Sequence, residues 1–266
     1  MEKIAYLGPE GSYSFLAALK LRPKAELLAY QSFPQVFLSL VSGETDGIVV
    51  PIENTLNGGV LQNIDLLQAT DGVCAVEECV IKIDHRLATL KGADRSRIER
   101  IYSHSQALEQ CAKYLSTNFP KAKLVSTAST AASLENLKGE GDACIVGVHT
   151  KKEGIVLSEN NISDEAANFT HFLLIKKTTL DEGTHSNRIY FSATCLNRSG
   201  ALLSLLSCIA KHGLNMTKIE SRPIKNAPDE YRFFIEVEGD YSTDAVKKAF
   251  ADIKDKSNSL KLLGLY

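Results

Sequence analysis

No stretch of 18 apolar residues occurs in this 266-residue chain; its longest apolar runs, such as Gly47-Ile48-Val49-Val50-Pro51-Ile52, are strand-sized. A membrane-spanning helix is therefore excluded. Charge of one sign is not in excess either: 30 Lys+Arg against 32 Asp+Glu leave a net charge of −2 with no basic stripe, which argues against nucleic acid as a partner. The six cysteines, at 74, 79, 111, 144, 195 and 208, include no C-x-x-C pair, and the six histidines (85, 104, 149, 171, 185, 212) lack metal-ligand spacing. No metal site is expected. Met1-Glu2-Lys3 leads into a strand where a signal peptide would stand, so the expectation is a cytoplasmic chain. Its thiols, most of them inside apolar runs, then read as small buried hydrophobes and not as bridges. The chain does have 44% hydrophobic and 23% charged residues, the composition of a folded protein of one large or two ordinary domains.

The first part alternates strand and helix. Ile4–Leu7 is a strand, Gly8-Pro9-Glu10-Gly11 a turn, and Ser12 or Ser14 caps a helix carrying Phe15, Leu16, Ala18 and Leu19. The pattern recurs through strand 26–30, a helix from Phe33, strand 47–52 and a helix near 60–68, predicting a mostly parallel sheet covered by helices. After a β-prone stretch over 73–83, a second set follows: strand 98–103, helix 105–116, strand 122–126, helix 130–138 and strand 142–148. Two further strands lie at 155–157 and 172–175, so the chain would cross to a second lobe near 80 and return near 160. The polar segment 176–187 reads as a linker. Beyond it, strand 188–194, a helix closed by Gly213, strands 214–222 and 231–237 around a turn at Asn226-Ala227-Pro228-Asp229, helix 243–254 and strand 259–263 give the ferredoxin-like order βαββαβ.

Chemistry-bearing residues gather at strand-to-helix turns. Gly8-Pro9-Glu10-Gly11-Ser12-Tyr13-Ser14 offers amide and hydroxyl donors at a helix start, although taken alone an ordinary serine-capped turn is the better account of it. Pro51-Ile52-Glu53-Asn54-Thr55-Leu56-Asn57-Gly58-Gly59-Val60 ends a buried strand in Glu-Asn before two glycines that permit close backbone approach. Ser103-His104-Ser105-Gln106-Ala107-Leu108-Glu109-Gln110-Cys111 and Ser126-Thr127-Ala128-Ser129-Thr130 repeat the device. Four such turns over two lobes describe an anion-binding cleft. Asn168-Phe169-Thr170-His171-Phe172 opens the return strand, and period two puts Asn168, Thr170 and Phe172 on one face and His171 on the other.

Together these segments resemble the prephenate dehydratase family: the GPEGSYS turn, PIENTLNGGV, SHSQALEQC, STASTAA, and NFTHF where the family has N-x-T-R-F. The C-terminal unit is similar to its ACT regulatory domain through Gly200-Ala201-Leu202 (GAL) and Glu220-Ser221-Arg222-Pro223 (ESRP). The resemblance implies an α/β fold. A bilobal, periplasmic-binding-protein-like catalytic part would span 1–178, with lobes at about 1–80 plus 160–178 and at about 81–159, followed by the ACT domain over 187–266. A fused chorismate mutase domain is not expected.

The family removes water and carbon dioxide from prephenate to give phenylpyruvate on the way to phenylalanine, with aromatisation as driving force and no cofactor. By the resemblance Thr170 is catalytic; Asn54, Ser103, Gln106, Thr127, Ser129, Asn168 and Phe172 are substrate-binding; Glu53, His104 and His171 are possible supports. His171 stands in place of an arginine. If it met a substrate carboxylate, binding would weaken as pH rises through its pKa; if it faces away, as alternation indicates, it only supports Thr170. Gly200, Ala201, Leu202, Asn215, Glu220, Ser221, Arg222 and Pro223 would hold feedback-inhibiting L-phenylalanine in a homodimer or homotetramer. Arogenate as substrate and a non-catalytic amino-acid sensor are the alternatives.

Overall fold

The computed structural model of the chain describes residues 1–178, 185–195, 198–224 and 227–266, the stretch 227–229 by its backbone alone. Much of the segment read as a linker, and Asn226 of the expected turn, lie outside the described residues.

The first lobe runs β1 (Lys3–Leu7), α1 (Tyr13–Leu21), β2 (Glu26–Tyr30), α2 (Phe33–Ser42), β3 (Gly47–Asn54), the short β4 (Gly58–Gly59), α3 (Leu61–Ala69) and β5 (Val73–Lys82). Serine starts the first two helices, with Ser12 accepting the Phe15 N–H at 3.2 Å, and Gly43 ends α2 in the left-handed region at φ 79°. The chain then enters the second lobe: β6 (His85–Leu90), β7 (Arg100–Ser103), α4 (Ser105–Gln110), α5 (Ala112–Asn118), β8 (Lys123–Ser126), β9 (Asp142–Gly147) and β10 (Ile155–Leu157). It returns through β11 (Phe169–Lys177), antiparallel between β3 and β5. The second lobe keeps its own five-stranded sheet, in the order β10-β6-β9-β7-β8.

Two elements of that lobe differ from expectation. The helix read over 105–116 breaks at Cys111, because the Asp164 carboxylate, some fifty residues on, accepts the N–H groups of Lys113 (2.9 Å) and Tyr114 (3.1 Å) and starts a second helix. The helix read over 130–138 is only a 3-10 turn, Ala132–Asn136. There the Ser133 hydroxyl donates to Thr130 O (2.6 Å), the local backbone competition that disfavours α-helix in serine- and threonine-rich segments.

The C-terminal unit has β12 (Arg188–Thr194), α6 (Ala201–Lys211), β13 (Asn215–Ile224), β14 (Ala227–Glu238), α7 (Asp244–Lys256) and β15 (Ser259–Leu265), in the sheet order β13-β14-β12-β15. Strand β14 begins earlier than read, its Ala227 backbone pairing with Ile224. One face packs Ile189, Phe191, Ile235 and Leu265 under α6 and α7. The other does not face solvent: Tyr190, Phe234 and Leu263 join Val50, Leu67, Val73 and Leu173 in one core with the first lobe. The two sheets also merge where β15 meets β5 at Gly264 and Ala75. A Cβ on Gly264 would lie 2.6 Å from that of Ala75, so only glycine permits this approach. All six cysteines are buried and free. Among the described residues no helix is long and apolar enough to cross a membrane.

Candidate active site

A cleft of about 330 Å³ opens between the lobes, and all four polar turns reach it. The first supplies Ser12, Tyr13 and Ser14 at the start of α1, where the helix dipole is positive; the second supplies Asn54. Gln106 and Gln110 of α4, Ser129 and Thr130 of the fourth turn, and Thr170 of β11 complete the polar wall, with Phe33 and Phe172 as apolar surface. Among the described residues, none that lines the cleft is a lysine, arginine, aspartate or glutamate, so an anion there meets amides, hydroxyls and imidazoles.

The hydrogen bonds centre on Asn54, which is 7% exposed at the end of β3. Its Oδ1 accepts the backbone N–H of Leu56 (3.1 Å) and of Asn57 (3.2 Å), which fixes which end of the amide is oxygen. Its Nδ2 then donates to Asn168 Oδ1 (2.8 Å), Phe169 O (3.1 Å) and Thr170 Oγ1 (2.9 Å). Because Thr170 Oγ1 accepts from Asn54, its own hydrogen is free for the cleft. Asn168, fully buried, passes the polarity on by donating to Gln110 Oε1 at 3.0 Å, and Gln110 donates to Asn57 Oδ1 at 3.0 Å. The end of β3, the entry to β11 and the end of α4 are thereby locked to one another.

The sheet register separates the expected site residues. Thr170 lies opposite Asn54, and His171 opposite Glu53. Alternation then directs the first pair to the cleft and the second to the far side. Glu53, read as a possible support, therefore lies on the face away from the cleft, where it pairs with Lys218 of β13 at 2.8 Å. His171 Nδ1 lies 2.6 Å from Glu78 Oε1, and with Arg188 and Tyr190 both line a second cavity of about 250 Å³ against the C-terminal unit. Gln106, Ser129, His104 and Phe172 do line the cleft. His104 also caps α4, its Nδ1 accepting the Gln106 N–H at 3.3 Å. Ser103 and Thr127 are not among the lining residues: Ser103 is fully buried and donates to Ile145 O (2.8 Å), while Thr127 donates to Ser129 O (2.9 Å). Parallel strands β7 and β8 end there, and both hydroxyls satisfy local carbonyls instead of a ligand. Asn168 acts behind Asn54 rather than at the surface of the cleft.

Three contributors escaped the sequence reading. Gln110 sits one helical turn beyond Gln106, a spacing that places both on one face of α4 and was legible. Tyr13 donates to Asp84 O (2.8 Å) and accepts the Asp84 N–H (3.1 Å), tying α1 to the crossing between lobes; it belongs to the first turn but carried no signal of that contact. His85 follows the crossing and reaches Gln110 Oε1 through Nε2 at 3.0 Å. Among the described residues no cluster of three or more His, Cys, Asp or Glu is arranged to hold a metal ion.

The residues considered for the effector divide over two faces of β13. Glu220 and Arg222 turn toward the first lobe, Arg222 pairing with Asp65 of α3 at 2.7 Å, whereas Ser221 and Pro223 alternate to the other face and are exposed. Gly200 begins α6 at φ 79°, followed by Ala201 and Leu202, and Asn215 donates to Glu238 Oε2 at 2.8 Å.

The His171–Glu78 contact has a measurable signature. The Glu78 hydrogen bond raises the His171 pKa above its ordinary 6.5, despite the opposing effect of burial. A histidine whose folded-state pKa is raised contributes stability that is complete below the unfolded pKa and lost as pH rises through the folded one. The melting-temperature gap between wild type and His171→Gln is therefore expected to be wide at pH 6 and narrow at pH 9. A gap independent of pH would mean that the imidazolium contributes nothing.

A family model described as "Prephenate dehydratase" matches residues 4–179, and one described as "ACT domain" matches 189–255. The chain is 34% identical to the bifunctional chorismate mutase/prephenate dehydratase of Aquifex aeolicus over 99% of its own length and 73% of that protein's. The crystal structure of prephenate dehydratase from Arthrobacter aurescens in complex with L-Phe aligns with a TM-score of 0.87 and 27% identity, covering 98% of this chain and 88% of that one. GqqA, described as a novel type of quorum quenching acylase, aligns at the same TM-score with 25% identity over 100% and 97% of the two chains. With the matched segments accounting for both the cleft-bearing part and the C-terminal unit, the chain belongs to the prephenate dehydratase family and carries the ACT regulatory domain.

Proposed function

We propose that prephenate sits in the inter-lobe cleft with its C4 hydroxyl at Thr170. The observation that carries this is the bond from Asn54 Nδ2 to Thr170 Oγ1, which leaves the threonine hydrogen as a positioned donor to the leaving oxygen. As the C4–O bond breaks, the ring carboxylate departs as carbon dioxide and its bonding pair enters the ring. The leaving oxygen takes a proton, relayed from solvent through the Thr170 hydroxyl, and departs as water. Gln106, Ser129 and the start of α1 receive the carboxylates; the absence of fixed cations among the lining residues avoids holding the departing carboxylate too tightly. Acyl transfer is not favoured, since among the described residues no hydroxyl lining the cleft bonds a histidine.

By the same reading the chain works in the cytoplasm, and L-phenylalanine binds at Gly200–Leu202 with Ser221 and Pro223, between ACT domains of a homo-oligomer with an even number of subunits. Purified protein is expected to convert prephenate to phenylpyruvate, followed by its absorbance, at a rate that falls on adding L-phenylalanine, and to scatter light as a dimer or tetramer. No turnover with prephenate but turnover with arogenate would transfer the reading to arogenate. Binding without turnover of either would leave an amino-acid sensor, and a monomer mass with and without L-phenylalanine would remove the shared effector site.

A further inference from the structure

We propose that His85 is a substrate-contacting residue of this cleft, its Nδ1 accepting the hydrogen of the hydroxyl group that departs. The inference rests on the reading of the cleft as the prephenate site and adds a second group to the leaving oxygen.

The tautomer follows from the chain of amides. Backbone N–H groups can only donate, so Asn54 Oδ1 is fixed as their acceptor. Asn54 Nδ2 must then donate to Asn168 Oδ1, and Asn168 Nδ2 to Gln110 Oε1. That oxygen can only accept, so the 3.0 Å contact from His85 Nε2 is an N–H donation, and Nε2 holds the proton of the neutral ring. Nδ1 is left as a bare lone pair. Among the described residues it has no hydrogen-bond partner, and it is buried on a residue only 3% exposed that lines the cleft. Buried polar atoms of this kind find partners, and by this proposal the partner of Nδ1 is a group bound in the cleft that His85 lines.

The same Asn54 amide therefore gives the cleft one donor, Thr170 O–H, and one acceptor, His85 Nδ1. A carboxylate or a ketone satisfies only the donor. A hydroxyl satisfies both, accepting from Thr170 and donating to His85, and prephenate carries one hydroxyl, the leaving group. His85 keeps the hydrogen already on that oxygen oriented away from Thr170, so the lone pair faces the incoming proton. It takes up no proton itself in the step. The titratable and charged groups around it are Asp84, which pairs with Arg86 at 2.6 Å, and Tyr13 from α1, whose ring meets the imidazole edge-on at 6.3 Å; His104, before α4, lines the same cleft. Burial lowers the His85 pKa below 6.5, which keeps the ring neutral near pH 7. Protonation at lower pH converts the acceptor into a donor and should give kcat/KM an acid limb.

His85→Gln separates the two nitrogens, since a glutamine side chain can still donate to Gln110 but offers no acceptor at the Nδ1 place. The expected result with prephenate is a 10- to 100-fold loss in kcat, little change in KM, a melting temperature near wild type, and disappearance of the acid limb. His85→Asn, which places an amide near the Nδ1 position, should recover part of kcat without restoring the limb. Unchanged kcat in His85→Gln would overturn the proposal, as would equal losses in both variants that track a fall in melting temperature. Wild-type protein that fails to turn over prephenate would instead overturn the reading of the cleft, and is seen in the same assay before any variant is measured.

Discussion

Thr170→Val is expected to lower kcat on prephenate by about 10²–10⁴-fold, the range for a positioned proton donor, equivalent to about 3–5 kcal/mol at the transition state. Valine keeps the branched shape and removes only the hydroxyl. Asn54 Nδ2 retains Asn168 Oδ1 and Phe169 O as acceptors, so no buried donor is orphaned and the fold should be unaffected. The loss belongs in kcat more than in KM, because the donor matters most as charge develops on the leaving oxygen. Thr170→Ser, which keeps a hydroxyl, should retain most of the rate. A valine variant within threefold of wild type would remove Thr170 from the chemistry while leaving the enzyme itself intact.

Asn54→Asp is expected to cost as much, by reversing a direction instead of deleting a group. The carboxylate can still accept the Leu56 and Asn57 N–H groups, so the turn after β3 should hold. It cannot donate to Thr170, whose hydroxyl would turn to donate to the carboxylate and be lost to the substrate. The Asn168 amide would be driven to flip, and with it the polarity passed to Gln110. A negative charge in a cleft whose described lining holds no fixed cation also opposes a dianionic substrate, so KM should rise as kcat falls. The contrasting variant is Asn54→Leu, which leaves buried N–H and C=O groups unpaired at about 1–3 kcal/mol each and should lower the melting temperature by several degrees. Activity retained in Asn54→Asp at more than a tenth of wild type would show that the hydroxyl direction is not set by this amide.

How much of this was legible before the structure depends on the range of the interactions. Strand and helix alternation is local, and it correctly indicated two α/β lobes and the βαββαβ unit. Period two was enough to turn His171 away from the cleft, which the pairing of Thr170 with Asn54 and of His171 with Glu53 now explains. Polar residues at strand ends were a weaker guide, because Ser103 and Thr127 find carbonyls within their own lobe. The break at Cys111 depends on Asp164, and the position of His85 on Gln110; no local pattern encodes either contact. Nor did composition reveal that Tyr190 and Phe234, in strands assigned to a separate regulatory unit, pack into the core of the first lobe.

The glycine contact between β15 and β5 bears on how the protein can be cut. A fragment ending near residue 178 would uncover the flank of β5 together with the apolar patch that Tyr190, Phe234 and Leu263 cover. It would also lose the Lys261 ammonium that ties down Gln68 O (2.7 Å) and Thr70 O (2.9 Å) at the end of α3. An exposed strand flank beside an apolar face is a template for intermolecular pairing. Such a fragment should aggregate whatever its catalytic residues are doing. Poor activity after truncation would then report lost solubility and not lost regulation.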